Sequence, residues 1–307
     1  MAANVKSCRV IACELWLVVL WIGIGAMSAA DAKPAVTPTG PAAASGDPVK
    51  KETWDYVASS KEILKKFTGK PGVVLHLGDS ITRGSSYGAW ALEGKGQTDA
   101  DKKILQWMHA GAKDDTDGWT LAHRMNASKN DSSSETASNG MRTDELIKGG
   151  KNKLPPLDDI LKKFNPQMVV LMLGTNDIWQ KHTADDAIKG ITPVIDKCQA
   201  NGTVVILSSI PPNIIDPKMA EEYNNKLYEL AKARKMPYLD YYGEIIKRAP
   251  DGTWDGTIMI KGDVHPNSGH WVDESPTEDN FKRSGYLLRT WLSVQKIREV
   301  KEKVIGQ

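Results

Sequence analysis

The stretch VVLHLGDSIT, residues 73–82, reads in two halves. Val73–Leu77 is a short apolar run entered from the turn Lys70-Pro71-Gly72. A run of that length and composition has strand character. Gly78-Asp79-Ser80-Ile81-Thr82 then leads away from it. A serine where a buried strand opens toward a helix stands at the sheet edge, its amide and hydroxyl free to share one space. Alone the tripeptide decides little, because Gly-Asp-Ser turns are common in loops.

Working outward, Met168–Leu173 (MVVLML) and Thr203–Ser208 (TVVILS) repeat the pattern, and Tyr238–Tyr241 does so more weakly. Continuous apolar runs suit strands covered on both faces, as in a parallel sheet. Helical patterns lie near Trp54–Phe67, Ala184–Ala200, Lys218–Lys235 and Glu278–Lys303. This alternation predicts one α/β domain at residues 51–307: a three-layer α/β/α, doubly wound, mostly parallel, flavodoxin-like sheet. It carries a long insertion near 84–139 and a smaller one after His265.

In such a sheet the loops at the carboxyl ends of the strands gather at one edge, where ligands bind. The distinctive residues follow the apolar runs. Gly174-Thr175-Asn176-Asp177 closes the second, Asn139-Gly140-Met141-Arg142-Thr143 precedes a further helical pattern, and Asp263-Val264-His265-Pro266-Asn267 comes late. Each has a bland alternative: an Asx turn, a surface loop, a solvent-facing histidine.

Together the four blocks resemble the SGNH (GDSL-type) hydrolase family, whose blocks supply Ser, Gly, Asn and His in that order. The resemblance spans about Val73 to Leu288. It implies a carboxylic-ester hydrolase working through an acyl-serine, with Ser80 as nucleophile and His265 as general base. A serine hydroxyl needs such a base near neutral pH. The resemblance assigns the oxyanion to the Ser80 amide, the Gly140 amide and the Asn176 side chain, and implies no metal or organic cofactor. Asp79 and Asp177 read as loop-shaping acceptors.

Two departures stand out. The family places its acid three residues before the histidine, where this chain has Gly262. Asp263, two before, is the candidate acid, and its shifted direction requires a compensating loop distortion. Ser80 and Gly140 also lie 60 positions apart, and the excess carries Trp90, Trp107, His109 and Trp119. Such an insertion is placed to wall or cover the serine. Trp179, Trp254 and Trp271 lie near the other blocks. Indole faces there suit sugar rings, against the alternative that they fill the core. Trp119, Arg142 and Trp179 are the candidate substrate-binding residues, although Arg142 suits a loop carboxylate equally well. His76 reads as a core residue. His123 and His182 lack metal-ligand spacing, while His109 and His270 have no assigned role.

Lys6 and Arg9 precede the uncharged stretch Leu15–Ala30, and Ala30-Asp31-Ala32 suits a cleavage site, so residues 1–32 read as a signal peptide. An uncleaved anchor would want about 20 apolar residues. The Pro/Ala-rich segment to about residue 50 reads as a tail. Cleavage would remove Cys8 and Cys13, leaving Cys198 as a buried apolar residue. The net charge of +2 argues for neither nucleic acid nor a membrane surface as partner. The expectation is therefore a secreted or periplasmic esterase acting on a small-molecule or polysaccharide ester, most simply a carbohydrate O-deacetylase. An acyltransferase, thioesterase or lysophospholipase on the same fold, and an inactive carbohydrate-binding domain, are the alternatives.

Overall fold

Short β-branched runs closed by turn residues become strands because they fit a pleated surface covered on both sides. A computed structural model describes residues 47–124, 132–269 and 275–306. The expected signal peptide, most of the tail, His270 and Trp271 lie outside these. In it Val74–Gly78 (β1), Met168–Met172 (β2), Val204–Ser208 (β3) and Tyr238–Leu239 (β4) form a parallel sheet in the order β1-β2-β3-β4. Every residue of these strands is buried. On the other flank of β1, Ala137 makes a parallel bridge to Gly78, and the Ser138 amide donates to the Gly78 carbonyl at 3.2 Å. The chain thus leaves β1 in one direction and returns past it to β2, which makes the sheet doubly wound.

Helices follow in order: Val57–Leu64 (α1), Ser80–Arg83 (α2), Ala89–Glu93 (α3), Asp99–Trp107 (α4), Gly118–His123 (α5), Leu157–Phe164 (α6), Thr175–Trp179 (α7), Ala184–Ala200 (α8), Pro217–Ala233 (α9), Tyr241–Arg248 (α10), Glu278–Phe281 (α11) and Gly285–Val300 (α12). Right-handed crossovers running one way across the sheet put α6, α8 and α9 on one face. Consistently, α8 packs on both its neighbours, and α8 and α9 on β3. The excursion from β1 to Ala137 runs the other way, so α3–α5 fall on the opposite face. There α5 covers β1, α12 packs on α3, α4 and β4, and α1 lies on β3. Among the described residues no helix is long and apolar enough to cross a membrane.

The 84–139 segment, expected as a wall or lid, instead builds much of this second layer over its described length. Trp90 and Trp119 are fully buried in it, and the Trp90 indole donates to the Lys95 carbonyl at 2.9 Å. The C-terminal pattern is also two helices. Ser284 caps α12 by accepting from the Leu287 amide, so the expected continuous segment breaks there.

Candidate active site

Strand register brings the site together. Gly78 is level with Met172 on one side and Ala137 on the other, so the segments holding Ser80, Asn176 and Gly140 leave the same sheet edge side by side. Asp79 starts α2 by accepting from the Ile81 amide at 2.9 Å, which presents Ser80 on the first turn. Gly174, at φ +131°, turns the chain from β2 into α7. A Cβ there would stand 2.1 Å from the Tyr223 ring, whose hydroxyl donates to the Leu173 carbonyl at 2.9 Å.

His265 arrives from the loop between α10 and α11. That loop is closed by a bridge between Met259 and Pro266 and by the Ile260 amide donating to the His265 carbonyl at 3.0 Å. Its Nε2 lies 2.8 Å from the Ser80 hydroxyl, and its Nδ1 2.7 Å from Asp263 Oδ1. The same carboxylate oxygen accepts from the His265 amide at 3.1 Å. This is the distortion that the two-residue spacing requires. Gly262 takes a left-handed φ of +70°, and the aspartate folds back onto both the backbone and the ring of the histidine two positions on. Burial works against ionisation of Asp263, but the bonds from His265 outweigh it and hold the carboxyl below its ordinary range.

Three further donors lie on the segments that leave this sheet edge. Among the described residues, neither the Ser80 nor the Gly140 amide has a protein acceptor. The third is Asn176 Nδ2, which donates to Asp79 Oδ2 at 3.2 Å and to the Met141 carbonyl at 3.1 Å. Thr143 clamps the Gly140 segment to α7, its amide and hydroxyl donating to Asp177 at 3.0 and 2.8 Å. Asp79 and Asp177 therefore shape loops, as expected. Burial raises the Asp79 carboxyl to about 6. It raises Asp177 too, against the bonds from Thr143. The arrangement can deprotonate an alcohol, retain the proton on an imidazole braced by a carboxylate, and stabilise a nascent anion.

The candidate substrate contacts separate. Trp119 is wholly inaccessible and stacks on His76 with ring centroids 3.8 Å apart, so as a substrate-binding residue it is corrected to a core one. Trp254 is likewise buried. Arg142 is engaged by Asp144 (2.9 Å) and Gln180 (2.7 Å), the pairing alternative. Trp179 is 59% exposed, one helical turn beyond Asn176. His109 bonds the Pro71 carbonyl at 2.8 Å and joins no part of the site. Burial pushes the His76 imidazole well below its ordinary range and lowers that of His123, and among the described residues one ring nitrogen of each lacks a partner. Thr143 and Arg289 escaped sequence reading. The one available signal for Arg289 was a lone charge on the stripe Gly285–Arg289–Ser293–Ile297 of α12.

Residues 76–269, more than half the chain, match the model of the GDSL-like Lipase/Acylhydrolase family. No curated protein is detectably similar in sequence. Among solved structures the chain is similar to a lipolytic protein of the G-D-S-L family from Veillonella parvula (19% identity, TM-score 0.46, 72% of this chain and 96% of that one). It is similar also to a carbohydrate esterase family 3 protein from Talaromyces cellulolyticus (20%, 0.46, 74% and 98%) and to an acetyl xylan esterase (20%, 0.45, 72% and 98%). These likenesses are distant, and the assignment rests on the family model and the blocks it covers: the chain belongs to the GDSL-like lipase/acylhydrolase family and is a carboxylic-ester hydrolase.

Proposed function

We propose that the protein is an exported serine esterase that removes short acyl groups, acetyl foremost, from carbohydrate. The observation that carries the catalytic part is the continuous chain Ser80–His265–Asp263, at 2.8 and 2.7 Å, beside two unsatisfied amides. Ser80 Oγ attacks the ester carbonyl while His265 Nε2 takes its proton, and Asp263 accepts from Nδ1–H and favours the charged ring. The carbonyl oxygen, now anionic, accepts from the Ser80 and Gly140 amides. It competes with the Met141 carbonyl for an Asn176 N–H, and a charged acceptor outbids a neutral one. His265 then protonates the departing alcohol, and the same base activates water to release the acid and regenerate Ser80.

The carbohydrate part is supported by Trp179. An exposed indole one helical turn beyond Asn176 on α7 would offer a flat face to a sugar ring while the acyl group lies at Ser80. Export is supported by the pattern of residues 1–32 alone, and a secreted protein beginning at Lys33 would agree with it. The test is an acyl-release screen on acetylated polysaccharides, with Ser80→Ala as control, together with rates on p-nitrophenyl esters of increasing chain length. Acetate release and a steep fall beyond C4 are expected. Rates that climb with chain length would replace the carbohydrate reading with a lipid one.

A further inference from the structure

Arg289 on α12 is 1% exposed, an expensive place for a cation. Among the described residues its guanidinium makes no ion pair with a carboxylate. It donates to the Ile81 carbonyl at 3.0 Å and to the Thr82 hydroxyl at 2.9 Å, and lies 3.8 Å over the Tyr87 ring centroid. Tyr87 is held in turn by His76 (2.9 Å) and Ser293 (3.1 Å). The contacts converge on α2, the single turn that carries Ser80. Asp79 binds the amide of Ile81 and Arg289 binds its carbonyl, so the two charges grip one residue through the peptide groups on either side of its Cα. Asp79 also fixes Asn176.

On the reading of Ser80, Asn176 and His265 given above, we propose that Arg289 is a positioning residue of the hydrolytic site. It pins the serine turn through Ile81 and Thr82 and places a buried positive charge beside the turn that Asp79 caps, so that Asp79 keeps the Asn176 amide aimed at the oxyanion. A fork of two donors on two successive residues fixes the turn as an ammonium cannot. The ionisable groups acting on Asp79 are Arg289 and His265, which favour its charged form, and Asp177, which opposes it; Tyr223 and Tyr286 also sense its charge. Removing the guanidinium should make Asp79 harder to ionise and so weaken its hold on Asn176 as pH falls.

The experiment compares wild type, Arg289→Met, Arg289→Lys, Asp79→Asn and the Arg289→Met/Asp79→Asn double variant on p-nitrophenyl acetate, with unfolding midpoints alongside. For Arg289→Met, kcat is expected to fall about 10- to 100-fold with KM within about threefold, and the acidic limb of kcat to move to higher pH. Arg289→Lys should restore the limb and part of the rate. In the Asp79→Asn background Arg289→Met should no longer move the limb. Should Arg289→Met not fold, the lysine variant decides, and wild-type kcat in it would contradict pinning by the fork. A folded Arg289→Met with wild-type kcat and limb would overturn the proposal, as would a limb shift of equal size with and without Asp79. Labelling of wild-type Ser80 by a fluorophosphonate, run in parallel, separates failure of this proposal from failure of the underlying site assignment.

Discussion

Ser80 and His265 lie 185 positions apart in the chain and 2.8 Å apart in space, so the chemistry depends on a few side chains whose loss is measurable one at a time. Asn176→Ala removes one of the proposed oxyanion donors and should lower kcat by about 10²–10³, or about 2.7–4 kcal/mol of barrier, with stability little changed. Asp263→Asn keeps the shape but offers an amide where His265 needs a carboxylate. A fall in kcat of about 10²–10⁴ is expected, toward the lower end because the Asp263 side chain is 45% exposed. Trp179→Ala should raise KM on an acetylated polysaccharide about 3- to 10-fold, the worth of roughly 0.5–1.5 kcal/mol of stacking, and leave p-nitrophenyl acetate kinetics unchanged. Equal effects on both substrates would remove the indole from sugar recognition.

At the scale of elements, the three long strands were legible because a parallel sheet buried on both faces leaves continuous apolar runs, and α8 because its capping box and periodicity agree. The insertion was misread for a physical reason. A tryptophan lining a cleft and one filling a layer look alike in sequence, and only packing of α5 on β1 tells them apart. The helical segment expected after Thr143 arrives late: turns and a 3-10 helix at Lys151–Lys153 come before α6. Arg289 was illegible as part of the site because its partners are a carbonyl and a hydroxyl more than 200 positions away. The strand-to-helix turn at Gly174 is itself testable. Gly174→Ala forces a Cβ into the Tyr223 ring at a left-handed φ. It should destabilise by about 2 kcal/mol or more, read as a lower urea midpoint, and slow the enzyme by displacing Asn176.

Over the whole molecule, the site sets a cost on stability. Asp79 is fully enclosed and its carboxyl is raised from the usual 3.8 to about 6 by burial. The folded state therefore holds that proton more tightly than the unfolded chain. The stabilisation is complete below the unfolded value and is lost as pH rises through about 6. The proposed role of Asp79 in catalysis asks for the opposite, an ionised carboxylate accepting from Asn176. Asp79→Asn, which cannot titrate, should gain on wild type by on the order of 2–3 kcal/mol between pH 4 and pH 7, measured by urea unfolding at each pH, while losing activity. A difference that stays flat with pH would show that Asp79 is not held in this way.

One observation reaches the centre most directly: mass-spectrometric mapping of a fluorophosphonate adduct, with hydrolysis of p-nitrophenyl acetate followed in the same samples. A single adduct on Ser80 is expected in the wild type, with turnover lost in proportion to labelling. Ser80→Ala should take no label, and His265→Ala should react at least about 100-fold more slowly. An adduct on another residue, or wild-type hydrolysis by folded Ser80→Ala, would contradict the account.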